Sequence, residues 1–249
     1  FDGISSEEKV KIMKKNLDAG LNLKNQQIAA IQPSYYLPYG GFAEAAATRD
    51  QYIKQRMTQH TPKSYEDICN KNGAHLCSII ENPIYNFVGD KLAGSASPAV
   101  DLIEVTGEDI SYEISSVKER YFEINDDLIL DYFENSRFVD QLSLYISWAS
   151  DNFLTIYKTA CIDFSGSKPK VDFLTKFDWE NLKSEYDLDG PSNRYLYLKV
   201  RREILNQLIE QSLPWENVSS GYQMRFDRVP NVYNQKFWTH FTNKYICRF

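Results

Sequence analysis

Residues 83–118 constrain the fold of this chain more than any other stretch. Asn82 is a good N-cap and Pro83 a good first helical residue, with Ile84, Phe87, Val88 and Leu92 at helical spacing and Gly94 to end the turn. A Gly/Ser/Pro connector follows, and then two segments, 99–105 and 110–117, that read as strands around a turn at Gly107. Alternation places Asp101, Ile103 and Val105 on one face of the first strand. It places Glu113, Ser115 and Val117 on one face of the second. A hairpin of these strands brings Asp101 and Glu113 together at a sheet edge, where two carboxylates suit a divalent cation.

The flanking segments predict a mixed architecture. Ser5-Ser6-Glu7-Glu8 reads as a capping box that opens a helix carrying Val10, Met13 and Leu17 and ending near Gly20. Helices at 24–31, at Ala43–Met57 and after Ser64 complete a helical N-terminal part, residues 1–80. Beyond 118 the expected elements are a short strand at Tyr121–Ile124, a long helix over Asp126–Ser150 with the stripe Val139, Leu142, Tyr145, Ile146 and Ala149, and a buried strand at Phe153–Phe164. A short helix at Asp178–Tyr186, a strand at Arg194–Val200 and a helix at Arg201–Leu213 follow. No internal repeat or long linker divides the sequence, so a single domain over 1–249 is expected. It would have a core at 81–164 and an α/β extension at 165–249. The fold class is α/β (α+β), a mixed central sheet flanked by helices.

Charge narrows the function classes. The formal net charge is −6, which gives no global basic signature for nucleic acid. Its distribution is uneven: 12 acidic and 3 basic residues over 101–140, against 5 basic and 1 acidic over 222–249. An acidic centre beside a basic flank suits a metal-dependent nuclease, and on charge alone it fits a solvated helix face beside an ordinary basic terminus better. Arg194, Lys199, Arg201 and Arg202 are candidates to track a phosphate backbone, and Tyr35 and Tyr36 to stack on bases. Both sets also fit plain packing roles. His60, His75 and His240 are isolated, and the four cysteines lack zinc spacing, which points to free thiols in a reducing cytoplasm. No membrane span is visible. The chain opens on Phe1 rather than Met, so a preceding piece is expected.

The run SPAVDLIEV…SYEISSV, within the order helix, strands, helix, strand over 80–164, resembles the PD-(D/E)xK nuclease superfamily of restriction-endonuclease-like folds. The resemblance implies Asp101 and Glu113 as metal ligands, with Glu81 as an extra acidic residue. The family's lysine falls at Ser115, and the nearest lysine is Lys118; one of these would position the attacking water. A bulge at Ser115-Ser116 would re-aim Lys118. Pro98 stands two residues further from Asp101 than the family pattern has it.

The resulting expectation is a Mg²⁺- or Mn²⁺-dependent endonuclease acting on double-stranded DNA, of restriction type and homodimeric. The alternatives are a non-enzymatic interaction or assembly protein, such as a viral or phage structural component, and an RNA-directed nuclease of the same fold.

Overall fold

Ser5 begins the longest helix among the described residues by accepting a hydrogen bond from the Glu8 amide at 3.2 Å. In the computed structural model, which describes residues 5–38, 46–54, 62–78, 84–96, 105–186 and 193–243, this helix, α1, runs Ser6–Ile31. It passes through Gly20, because one glycine costs only about 1 kcal/mol against the good helix formers around it. Gln32 ends it in the left-handed region, its amide bonding Ile28 O at 2.8 Å, and Pro33 follows.

The chain forms two compact units, Phe1–Gly107 and Glu108–Phe249. In the first, β1 (Tyr35–Tyr36) pairs in parallel with β2 (His75–Leu76). Between them lie a 3₁₀ turn at Thr48–Asp50 leading into α2 (Gln51–Lys54), then α3 (Glu66–Lys71). Ile28 of α1 packs with Tyr65, Cys69 and Ala74 in a small core.

The stretch expected as a helix from 83 is instead the antiparallel hairpin β3 (Ile84–Val88) and β4 (Lys91–Ala96). Gly89 takes φ 60° in the two-residue Gly-Asp loop, the Gly-first arrangement that matches strand twist. The helical spacing of Ile84, Phe87 and Val88 misled because this hairpin leaves all three exposed, so burial imposes no period. The second correction is at 110–117, which lies inside a helix, α4 (Gly107–Arg120), rather than a strand. Ile110, Ile114 and Val117 recur at helical spacing on its half-buried side, with Glu108 and Asp109 in the first turn and Lys118 and Arg120 in the last. The strand expected at 99–105 falls mostly on 97–104, outside the described residues.

The third correction divides the expected helix 126–150. Asn125 caps α5 (Asp126–Glu134) by accepting from the Leu128 amide at 3.0 Å, and residues 142–149 form strand β5 (Leu142–Ala149). Leu142, Leu144, Ile146 and Trp148 are all buried at a period of two, so the true period was that of a strand. The segment 121–124 is irregular. The strands expected at 153–164 and 194–200 are present, as β6 (Ile156–Asp163) and β8 (Arg194–Arg201). β7 (Lys170–Leu174) and β9 (Met224–Val229) complete a sheet of order β7-β6-β5-β8-β9. Its central pair, β5 and β8, is parallel and the other neighbours are antiparallel. The architecture is α+β: a mixed five-stranded sheet with flanking helices, but the sheet draws on 142–229 rather than 81–164.

Helices α5, α7 (Arg202–Gln211), α8 (Trp215–Ser220) and α9 (Gln235–Asn243) cover one sheet face. There Phe133, Trp215, Phe237 and Phe241 meet the even-numbered residues of β5 and β8 in one core. The other face carries Tyr145, Ser147 and Tyr197 beneath a strap that contains Phe177 and α6 (Trp179–Ser184). Tyr145 stacks on Phe177 at 5.2 Å, and Trp179 lies 5.2 Å from Tyr197. Among the described residues no helix is long and apolar enough to cross a membrane.

Candidate functional site

Because β5 and β8 run parallel, their C-terminal residues Ala149 and Arg201 end side by side. One chain then makes the turn 150–155 and the other enters α7 directly. The divergence leaves a cleft of about 330 Å³, lined by Lys118, Ser150, Asp151, Tyr157, Arg202 and Glu203 among others. The carboxyl ends of parallel strands are the usual place for a ligand in open sheets with helices.

The floor of the cleft is held rigidly. Within the turn, Ser150 Oγ accepts from the Thr155 amide at 3.0 Å and donates to Asn152 Oδ1 at 2.8 Å. Asn152 Oδ1 also accepts from the Leu154 amide at 3.0 Å. Arg201 is 0% exposed. Its Nε donates to Asp151 O at 3.1 Å, its guanidinium donates to Gln223 Oε1 at 2.9 Å, and it lies over the Phe153 ring at 5.0 Å.

Arg202, the next residue, is used differently. Its guanidinium lies 3.9 Å from the Phe122 ring centre and 4.5 Å from that of Tyr157. Its Nε is buried with no hydrogen-bond partner, and among the described residues no carboxylate pairs with it. Both rings lie within cation–π reach, and among the described residues no hydrogen bond uses the guanidinium's N–H donors. Phe122 is 52% exposed, and its place is fixed from below. The buried Asn206 amide donates to Tyr121 O and Glu123 O, each at 2.9 Å, while Asn206 Oδ1 accepts from Trp148 Nε1 at 2.7 Å. Asn206 thus clamps the irregular segment 121–123 between β5 and α7. At the N-terminus of α7 the cap residue, Arg201, supplies no side-chain hydrogen bond, so the positive end of the helix dipole faces the same region. The second cation, Lys118, pairs with Asp151.

The residues singled out by sequence fall in several places. Glu113 is exposed on α4, and Ser115 donates to Ser111 O at 2.9 Å along the same helix. With the strand gone, the alternation that gathered Glu113, Ser115 and Val117 on one face no longer applies. Glu81 and Asp101 lie outside the described residues. Among the described residues no group of three or more His, Cys, Asp or Glu side chains is placed to hold a metal ion.

The four basic residues do not form one stripe. Arg194 pairs with Asp140, Lys199 sits beside the Tyr197 ring on the opposite sheet face, Arg201 is buried, and only Arg202 lines the cleft. Tyr35 and Tyr36 are packed within their own unit. Tyr35 OH accepts from the Leu92 amide at 3.0 Å and its ring meets Phe87 at 5.1 Å, while Tyr36 packs on Tyr65 at 5.6 Å. Phe122, Tyr157 and Asn206 were missed: nothing in their local sequence distinguishes them, because they converge on Arg202 only through the sheet.

A wider groove of about 1070 Å³ lies between α5 and α9. Several of its polar groups answer one another: His240 Nε2 bonds Ser136 O at 2.8 Å, and Asn135 Nδ2 donates to Asp131 Oδ1 at 2.6 Å.

No protein-family model matches the chain. It is similar to the cytidine monophosphate-N-acetylneuraminic acid hydroxylase of Macaca mulatta, at 23% identity over 243 residues, covering 96% of this chain and 40% of that protein. The Mus musculus hydroxylase aligns at 23% with 96% and 41% coverage. The Homo sapiens protein of that name, described as inactive, aligns at 23% with 96% and 48% coverage. The chain therefore spans less than half the length of these relatives. A solved structure of Sterol Carrier Protein-2 like-3 from Aedes aegypti has a TM-score of 0.31 at 10% identity, over 56% of this chain and 98% of that one. At that level the likeness does not establish a shared fold. These relatives overturn the nuclease expectation: alignment along almost the whole chain is to proteins named as hydroxylases, whereas the nuclease resemblance rested on two short strands, one of which is a helix.

Proposed function

We propose that this chain is the ligand-binding part of a protein akin to the cytidine monophosphate-N-acetylneuraminic acid hydroxylases, and that its cleft takes a nucleotide-activated acidic sugar. The observation that carries this reading is Arg202. It is a guanidinium set against two aromatic rings, Phe122 and Tyr157, with no hydrogen bond to its donors among the described residues. A hydrogen bond from a charged donor such as the guanidinium to a ligand oxygen contributes about 1.5–3 kcal/mol.

The compound for which the relatives are named offers suitable groups, a phosphodiester and a carboxylate, and a guanidinium binds either through two parallel hydrogen bonds. The uncapped start of α7 adds donors and a favourable dipole. Tyr157, exposed and lining the cleft, offers apolar surface for a sugar or base. In this reading Arg202 binds the anion, Phe122 and Tyr157 orient the guanidinium, and Asn206 positions Phe122.

Calorimetric titration with cytidine monophosphate-N-acetylneuraminic acid tests the reading. Saturable binding is expected, and Arg202→Met should weaken it by about 10- to 100-fold, the worth of a charged hydrogen bond. Unchanged affinity in a variant with a native circular dichroism spectrum rejects the assignment.

A further inference from the structure

We infer that Asp151 is a built-in stand-in for a ligand anion, and that by occupying Lys118 it makes the cleft selective for ligands with two separated negative groups. The inference rests on the reading of the cleft as an acidic-ligand site. Two cations line the cleft in different states. Arg202 has no anionic partner among the described residues, whereas Lys118 has one, the Asp151 carboxylate.

The pair is open to exchange. Its side chains are 40% and 38% exposed, so solvent screens the attraction and replacing the partner of Lys118 is inexpensive. Lys118 lies in the last turn of α4, and its long flexible side chain has no other bonded partner among the described residues. Asp151 is fixed at its backbone: Arg201 Nε holds its carbonyl, and the turn around it is closed by the bonds of Ser150 and Asn152. The carboxylate is therefore a tethered competitor, present at high effective concentration whenever the cleft is empty.

Tethering sets the selectivity. A ligand with one anionic group binds Arg202 and leaves the Lys118–Asp151 pair as it is. A ligand with a second anionic group, once anchored on Arg202, presents that group at a comparable effective concentration and takes Lys118 from Asp151. A phosphodiester with a separate carboxylate meets this requirement; a free sugar acid does not.

The test is a double-mutant cycle on the full chain, with calorimetric titration of N-acetylneuraminic acid and of its cytidine monophosphate conjugate. Asp151→Asn frees Lys118 to act on the carboxylate held by Arg202, and should tighten binding of the single-carboxylate sugar about three- to fivefold, the worth of an exposed ion pair. In a Lys118→Met background the same substitution should change nothing. Asp151→Glu keeps the charge and should show no gain. An equal gain in both backgrounds reveals only a general field effect and overturns the inference, as does the absence of any gain. Arg202→Met separates the two levels. If it abolishes binding while Asp151→Asn does nothing, the cleft stands and the stand-in role falls. If it leaves binding intact, the reading of the cleft itself fails.

Discussion

Arg201 and Arg202 are adjacent in sequence and opposite in use. The strand ends between them, so Arg201 turns inward below the turn 150–155 while Arg202 begins a helix at the cleft. Arg201 is fully buried and satisfies Asp151 O and Gln223 Oε1. Replacing it with Met leaves both acceptors without their donor, and urea denaturation should show a loss of about 3–5 kcal/mol, as for a broken buried charged network. Arg202→Met, which removes no protein hydrogen bond, should stay within about 1 kcal/mol. Sequence placed the two arginines in one phosphate-tracking set together with Arg194 and Lys199. Separating them needs the face each strand position presents and the groups opposite it, neither of which is a local property. A neighbouring contrast is Cys161 beside Tyr145: burial pushes its thiol up to about 11 even though the Tyr145 hydrogen bond pulls it down, which marks it as a packed thiol rather than a reactive one.

At the scale of elements, the strap over the second sheet face depends on one carboxylate. Asp227 of β9 accepts from Trp179 Nε1 at 2.9 Å and from Lys183 Nζ at 2.7 Å, tying α6 to the sheet. Burial alone would raise the Asp227 carboxyl, but the hydrogen bonds from Lys183, Trp179 and the Arg228 amide outweigh it and hold it below its ordinary value of 3.8. The same pairing raises Lys183. A carboxyl depressed by folding contributes stability that is full above its ordinary value and lost as pH falls through the lower folded value. Trp179 fluorescence should therefore report loosening of the strap in acid below about pH 4. Asp227→Asn should lower stability at neutral pH and flatten that acid dependence; an unchanged acid profile would show that the latch lies elsewhere.

Elements with local signals were legible. Ser5 caps α1 as its capping box suggests, whereas the stretch after the other expected cap, Asn82, is a hairpin; Arg194–Val200 reads as a strand and lies in β8. β5 was not legible, although Leu142, Leu144, Ile146 and Trp148 alternate: Leu142, Tyr145, Ile146 and Ala149 also fit a helix stripe, and a strand buried on both faces has no solvated face to decide between the two periods.

At the scale of the molecule, the two units differ in the cores that hold them. Among the described residues, the first gathers Ile28, Tyr65, Cys69 and Ala74, whereas the second buries a continuous aromatic and aliphatic layer between sheet and helices. Hydrogen exchange should show this difference: amides of β5 and β8 open only with global unfolding of their unit, and those of α1 exchange through cheaper openings. Equal protection in the two sets would mean that one cooperative structure spans the chain.

By itself the sequence determined the α+β class, the Ser5 cap of α1, strands β6 and β8, and the presence of Arg202 and Lys118 among residues worth following. Those outcomes follow from interactions within a few residues of the chain: a cap, an alternation, a charge. Only the tertiary structure decided that 110–117 is helical, that 142–149 is the central strand, and that the chemistry gathers where β5 and β8 end together. Arg202 in the cleft is placed by Phe122, Tyr157 and Asn206, a set up to 84 positions apart in sequence, and it is the parallel pairing of two strands that brings them within reach.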